Sequence, residues 1–283
     1  MNSVKPFAAS RILITNDDGI DAPGIKLLEE IARDFTDDIW VVAPDHEKSG
    51  ASHSISLHVP IRVRRVSEKR FAVLGTPTDC VLMAFYEILK DRKPTLVLSG
   101  INNGANLAED VTYSGTIAAA MEGTLLGVRS IALSVVRPLG GQAQWEGAEH
   151  YGPELLRKLL ASDDWPTGSF VNINFPDCGV AEVAGIEVTR QGQRPPGSFS
   201  IDPRVDNRNV PYYWVKLTYP EGEKLADTDL HAIANHRISV TPIQLDLTNY
   251  AWQEHLRGVL GDQRKHHARN FVIPGEDPGS MSD

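Results

Sequence analysis

Through the first half of the chain, short runs of β-branched residues alternate with stretches whose apolar positions recur at helical spacing. Residues 11–15, RILIT, read as a strand. Asp21 is placed to cap the following helix, with Pro23 in its first turn and Ile25, Leu28, Ile31 and Phe35 along one face. IWVVAP (39–44) is the next strand, and residues 55–74 alternate basic and apolar side chains in extended segments. Thr76, with Asp79 three residues on, has the form of a capping box around Pro77. PTLVLSG (94–100) has the continuous apolar character of a fully buried strand. A small-residue helix, SGTIAAAMEGTLLG (114–127), opened by Ser114 and closed by Gly127, leads into a fourth strand, SIALSVV (130–136).

Strands alternating with helices predict βαβ units and an α/β fold with a mostly parallel, doubly wound sheet, in which ligands bind beyond the carboxyl ends of the strands. The second half is less regular. A helix near 145–160 and a strand, FVNINF (170–175), precede a Pro/Gly/Arg-rich stretch, residues 190–217. That stretch reads as a long excursion with hairpin character, suited to reach a neighbouring subunit. Residues 1–10 read as a loose N-terminal extension rather than a secretory signal, having one lysine and no long apolar stretch. The main domain is expected over 11–250, its core running to about 180 and a hairpin-containing extension over about 186–250. A tail, 251–283, is expected to be partly disordered, with GEDPGSMSD (275–283) the clearest case. No internal repeat is visible.

Charge narrows the partners. The net charge is −9, and the most basic segment is the mixed RVRRVSEKR (62–70), which argues against a nucleic-acid polymer as ligand. No apolar run approaches the roughly 20 residues that span a bilayer, so no membrane partner is expected. The chain has two cysteines, Cys80 and Cys178, far apart in sequence. Their spacing suits neither a disulfide framework nor a thiolate metal site and points to a reducing cytoplasm.

Four polar segments are read as falling just after the four buried strands: Asn16-Asp17-Asp18-Gly19, Asp45 to Ser54, Ser99 to Asn106, and Tyr113 to Thr116. Topology is expected to bring them to one edge of the sheet. Two carboxylates, a serine hydroxyl and an asparagine carbonyl are hard oxygen donors, which suit Mg²⁺, Mn²⁺ or Ca²⁺ better than Zn²⁺ or copper. The helix beginning at Ser114 would expose backbone N–H groups to a phosphate. A metal beside a phosphate cradle points to metal-assisted phosphoryl hydrolysis.

Each piece has an ordinary alternative. Asp17 and Asp18 could be a cap and its solvated neighbour. The loop around Ser49 could be simply flexible, Asn102-Asn103-Gly104 a turn, and Ser114 only an N-cap. His46 and His53 are expected to be surface loop histidines. Convergence at one edge favours the site. NDDG also looks like the D-x-D-G of haloacid-dehalogenase-type phosphatases, but aligning the glycine puts Asn16 at the nucleophile position, and an amide cannot form an aspartyl-phosphate. GINNGAN lacks the Lys-Ser/Thr of a P-loop, and no G-x-G-x-x-G follows the first strand.

The motifs ILITNDDGIDAPGI, VVAPDHEKSGASHSIS, GTPTDCV, LVLSGINNGANLAEDVTYSGTIAAAMEG and SVTPIQLDLT together resemble those of the survival protein SurE, or 5′/3′-nucleotidase, family, and cover most of residues 11–248 in its order. The resemblance implies a Rossmann-like, three-layer α/β/α core with a C-terminal β-hairpin/helix extension, assembled as a homodimer or homotetramer. It implies hydrolysis of nucleoside 5′- and 3′-monophosphates with one divalent ion per subunit, Mg²⁺ or Mn²⁺, and Ca²⁺ as a stand-in in crystals. The matching metal ligands are Asp17, Asp18, Ser49 and Asn102, and the phosphate-side residues are Asn106 and Ser114. Backbone N–H groups of Gly115 and Thr116 are expected to join them. Asp17 and Asp18 are the catalytic candidates, and whether either is also the general base is left open. A broader acid phosphatase or exopolyphosphatase on the same site, and a non-catalytic nucleotide-binding module, are the rival readings. The excursion DPRVDNRNVPYYWV is longer than the DPRGRPYYW expected for the family, which touches substrate range and subunit contacts rather than the chemistry.

Overall fold

The computed structural model describes residues 9–138, 141–219 and 222–261. Its strands are β1 (Ile12–Thr15), β2 (Ile39–Pro44), β3 (Arg62–Ser67), β4 (Arg70–Leu74), β5 (Leu96–Asn103), β6 (Arg129–Val135), β7 (Ser169–Phe175), β8 (Ile186–Val188), β9 (Phe199–Val205), β10 (Pro211–Leu217) and β11 (Ile238–Gln244). Its α-helices are α1 (Pro23–Ala32), α2 (Pro77–Met83), α3 (Gly115–Leu125), α4 (Glu146–Leu160), α5 (Asp229–Ala234) and α6 (Tyr250–Leu260). Among the described residues, one sheet runs in the order β3-β4-β2-β1-β5-β6-β7-β11-β8. It is parallel except for the β3–β4 and β7–β11 pairs.

The alternation of side chains along β1 decides the layers. Ile12 and Ile14 enter the core under α1 and α4, whereas Leu13 enters the opposite core with Val81 of α2 and Ala119 of α3. The mostly parallel α/β fold read from the sequence is therefore present, with helices on both faces. Small residues let the helices sit close. A Cβ on Gly24 of α1 would lie 1.9 Å from the Ile101 carbonyl oxygen, and one on Gly123 of α3 would lie 2.7 Å from Val97 Cγ2. At the start of α3, Gly115 sits directly against the turn after β1, since a Cβ there would lie 2.8 Å from Asp17 Cβ.

Several local expectations are corrected. Asp21 does not cap α1: the N-cap is Ala22, with no side-chain bond, and Pro23 at the helix start removes one of the N–H groups a cap would serve. β5 does not stop at Gly100 but continues to Asn103, with its register against β6 shifting between Ser99 and Asn102. The SGIN motif is thus the end of a strand rather than a loop after it. The segment 113–116 precedes β6, reaching the sheet edge through the start of α3. The Thr76 capping box is present, with Thr76 Oγ1 accepting from Asp79 N at 3.1 Å and Asp79 Oδ2 accepting from Thr76 N at 2.8 Å.

The excursion is the β9–β10 ribbon, a separate two-stranded sheet whose side chains, Asp202 apart, are exposed. The expected tail opens with the regular helix α6. Residues 275–283 and residues 1–8 of the expected extension lie outside the described residues. Among the described residues, no helix is long and apolar enough to cross a membrane.

Candidate active site

At the end of β1 the chain turns sharply. Asn16 Nδ2 donates to the Gly19 carbonyl at 2.9 Å, Gly19 adopts a φ of +101°, and Ile20 N returns to the Pro44 carbonyl at 2.8 Å. Asn16 therefore shapes the turn, a structural role in keeping with its exclusion as a nucleophile. The turn presents Asp17 inward, only 3% exposed, and Asp18 at the rim.

Three segments distant in sequence meet this pair. The Thr116 hydroxyl of α3 donates a short hydrogen bond to Asp17 Oδ1. Lys48 N donates to the Asp17 carbonyl at 2.7 Å, which ties down the 45–54 loop. Asn103 N, at the end of β5, donates to Asp18 Oδ2 at 3.0 Å. Gly115 has no room for a side chain, since a Cβ would lie 2.8 Å from Asp17 Cβ and 2.9 Å from Pro77 Cγ.

The electrostatics follow from this enclosure. Burial pushes the Asp17 carboxyl above its ordinary value, against hydrogen bonds from the Thr116 side chain and the Thr116 and Gly115 backbone. Asp18 is pushed up to about 6, first by burial and then by the neighbouring Asp17 charge, with the Asn103 N–H and the more distant Arg137 opposing. The negative charge is thus undercompensated by the protein itself, the situation a divalent cation relieves. Among the described residues, no three His, Cys, Asp or Glu side chains converge as a metal cluster. A cation here would have to complete its shell with hydroxyl, amide, carbonyl or water oxygens, which fits a hard ion.

The expected ligands stand at different degrees of readiness. Asp17 and Asp18 are adjacent and held. Asn102 is beside the Asn103 contact, its Nδ2 donating to the Gly104 carbonyl at 2.7 Å, which leaves the side-chain oxygen for a ligand. Ser49 follows Lys48, but its hydroxyl is turned to Glu47 Oε1 at 2.9 Å and has no hydrogen bond to the aspartates. Gly115 and Thr116, expected at a phosphate, are engaged with Asp17 because α3 starts directly against it. Ser114 caps α3, accepting from Ile117 N at 3.1 Å, and so keeps its own O–H proton to donate.

Asn106 sits in a polar cage that sequence reasoning missed. Its N–H donates to Asn174 Oδ1 at 2.8 Å, its carbonyl accepts from Asn172 Nδ2 at 2.8 Å and Asn174 Nδ2 at 3.2 Å, and its Nδ2 donates to Ser134 Oγ at 2.7 Å. The signal was available in FVNINF, where two asparagines at i and i+2 share one face of a buried strand. Beyond Asn106, Asp229 accepts from Ala108 N and Gly192 N, both at 2.8 Å, and Arg194 grips Asp110 through two bonds of 3.0 and 2.9 Å. The base of the ribbon is thereby fastened to the loop after Asn106. His46 is exposed as expected, but His53 is not a free surface histidine: its Nε2 lies 2.9 Å from Oε2 of the largely buried Glu122.

A family model described as "Survival protein SurE" matches residues 12–197. The chain belongs to the SurE family. It is similar to a protein named 5′-nucleotidase SurE from Methylobacterium sp. (strain 4-46), 56% identical over 241 residues, which are 84% of this chain and 95% of the relative. A protein of the same name from Rhizobium meliloti (strain 1021) is 54% identical over 252 residues, 88% of this chain and 97% of the relative. The crystal structure of a SurE protein from Aquifex aeolicus superposes with a TM-score of 0.75 at 37% identity, covering 88% of this chain and 99% of that one. In SurE family terms, the NDDG turn, the SGAS loop, the end of β5 and the start of α3 are the segments gathered around the aspartate pair.

Proposed function

We propose that this chain is a divalent-cation-dependent phosphomonoesterase that hydrolyses nucleoside 5′-monophosphates, and 3′-monophosphates, to nucleoside and phosphate. The observation that carries the reading is the undercompensated Asp17–Asp18 pair, locked by hydrogen bonds from three separate segments at the sheet edge. Family membership and relatives named 5′-nucleotidase support the reaction class.

In this reading Asp17, Asp18, Asn102 and, after its hydroxyl leaves Glu47, Ser49 hold one Mg²⁺ or Mn²⁺. When bound, the cation supplies charge neutralisation at the phosphoryl group and activation of water. Asn106 uses one Nδ2 proton on Ser134 and offers the other to a phosphoryl oxygen, while the Ser114 O–H donates to a second. Thr116 and Gly115 keep Asp17 in place, so their contribution is to hold the ligand shell rather than the substrate.

The functional unit is proposed to be a homodimer or homotetramer. The β9–β10 ribbon exposes Ile201, Val205, Tyr213, Trp214 and Val215, and an isolated two-stranded hairpin is marginal in water. A second copy of the chain is the proposed cover. The two cysteines are free and suit the proposed cytoplasmic setting.

Hydrolysis of AMP with added Mn²⁺, with and without chelator, tests the reading. Chelation should abolish turnover, and Asp17→Asn should lower kcat/KM by at least about a hundredfold while the protein stays folded. Near-normal activity of Asp17→Asn would refute the cation-centred site. A panel including short polyphosphate, sugar phosphates and aryl phosphates separates the nucleotidase from a broad phosphatase, and binding of AMP without turnover would identify a non-catalytic module.

A further inference from the structure

The loop that carries Ser49 is fastened at both ends, and no role above uses the fastening on its far side. On the near side, Lys48 N donates to the Asp17 carbonyl at 2.7 Å. On the far side, Ser52 bonds twice to the segment before α3. Its N–H donates to the Tyr113 carbonyl at 3.1 Å and its hydroxyl to the Thr112 carbonyl at 2.7 Å. From there the chain is zipped down. His53 Nε2 lies 2.9 Å from Glu122 Oε2, and Thr76 Oγ1 donates to the Ser54 carbonyl at 2.8 Å. Ser56 donates its N–H and its hydroxyl to the buried Asp79 carboxylate at 3.0 and 2.7 Å.

Between the two fastenings lies a short arc, Ser49 to Ala51. Ala51 N donates to the Lys48 carbonyl at 3.2 Å, but among the described residues Ser49 and Gly50 make no backbone hydrogen bond. Gly50 has a φ of +74°, and a Cβ there would meet nothing within 4 Å. The arc has room to turn, and Ser49 points its hydroxyl at Glu47 rather than at the aspartates. Where Ser49 can reach is therefore set by Lys48 and Ser52.

Ser52 closes a ring. From Asp17 the path runs through Lys48, the arc, Ser52 and Thr112-Tyr113 to the start of α3, where the Thr116 hydroxyl returns to Asp17 Oδ1. The backbone of Ser52 has a φ of +52°, a region that suits glycine better than serine. Its hydroxyl bond is the contact a glycine could not make. Because the hydroxyl proton is given to Thr112, that group is no donor to a phosphoryl oxygen.

We propose that Ser52 is a positioning residue for the cation: its hydroxyl bond to Thr112 fixes the far end of the arc so that Ser49 reaches the ion held by Asp17 and Asp18. The inference rests on the proposed cation site, with Ser49 among its ligands, and names the group that keeps Ser49 within reach. Partners standing behind a metal ligand contribute about ten- to a hundredfold in metal affinity, by holding the ligand in its bound position beforehand.

Titration of Mn²⁺ into the metal-stripped protein, followed by electron paramagnetic resonance, reads this without turnover. The variants are Ser52→Gly, Ser49→Ala, the two combined, and Asp17→Asn. Glycine accepts a φ of +52° and keeps the N–H bond to Tyr113, so Ser52→Gly should melt within ~2 °C of wild type. Its Kd for Mn²⁺ should rise about tenfold. In the Ser49→Ala background, itself weaker by about tenfold or more, the same change should add less than about twofold, because it acts through Ser49. A wild-type Kd in Ser52→Gly, or an equal loss with and without Ser49, overturns the assignment while the cation site stands. Wild-type binding in Ser49→Ala with loss of binding in Asp17→Asn removes Ser49 from the ligands and overturns it as well. Wild-type binding in Asp17→Asn sinks the cation-centred reading itself.

Discussion

Asn174 makes no hydrogen bond to Asp17 or Asp18, yet its removal should cripple the enzyme. Asn174→Ala deletes the acceptor for Asn106 N at 2.8 Å and one of two donors to the Asn106 carbonyl, while Asn172 Nδ2 keeps its 2.8 Å bond. The Asn106 N–H then has no partner in a site that is 4% exposed. Stranding one buried donor costs about 1–3 kcal/mol. Taking ~2 kcal/mol, the melting temperature should drop by about 3–4 °C for a chain of this size. Activity should fall further than stability, because a group misplaced by ~1 Å can lose about a hundredfold in rate. Asn172→Ala supplies the graded control: it removes one donor to a carbonyl that retains the 3.2 Å bond from Asn174, so its losses should be smaller. Thermal unfolding and AMP hydrolysis with Mn²⁺ on both variants decide the matter. If Asn174→Ala melts within 1 °C of wild type and keeps kcat/KM within twofold, or if Asn172→Ala is the worse variant, the cage does not position Asn106.

Three other outcomes are expected. Gly115→Ala forces a Cβ to within 2.8 Å of Asp17 Cβ, so the carboxylate or the helix start must move; about 1–3 kcal/mol of stability and most turnover should be lost, and a fully active variant would contradict the packing. Asp38, although raised by partial burial, is held down to about 2 by hydrogen bonds from Arg11, Trp40 and Lys69. A depressed carboxylate stabilises the fold above its unfolded pKa, near 3.8, and loses that contribution as pH falls toward 2. After solvent screening the effect is ~1 kcal/mol, so the stability gap between wild type and Asp38→Asn should be open at pH 6 and closed near pH 2 in urea titrations. Trp214→Glu, on the exposed ribbon, should lower the solution mass measured by light scattering toward that of a monomer; an unchanged mass would place the subunit contact elsewhere.

What could be read along the chain was local. The Thr76 capping box, the Ser114 cap and the apolar face of α1 each depend on residues within a few positions of one another, and each is present. The Asp21 cap failed although it too was local, because Pro23 and the extended Ala22 start the helix without a side-chain bond. The end of β5 was misjudged because polar SGIN looks like a loop, while its pairing beside Ser134 and Val135 of β6 keeps it in the sheet.

The alternation of apolar runs and helical faces by itself determined an α/β protein with a mostly parallel sheet, and the residue types of NDDG and SGIN determined that hard oxygen donors cluster near strand ends. Tertiary structure alone decided which of those groups face each other. Thr116 and Asp17 are 99 positions apart, Asn103 and Asp18 85, and Asn106 and Asn174 68. Hydrogen bonds across such separations depend on how closely α3 and β5 pack on their neighbours, which rests on glycines whose role is invisible without a partner atom at 2 to 3 Å. The same packing sets Gly115 and Thr116 against Asp17, where the Thr116 hydroxyl and the first turn of α3 hydrogen-bond its carboxylate.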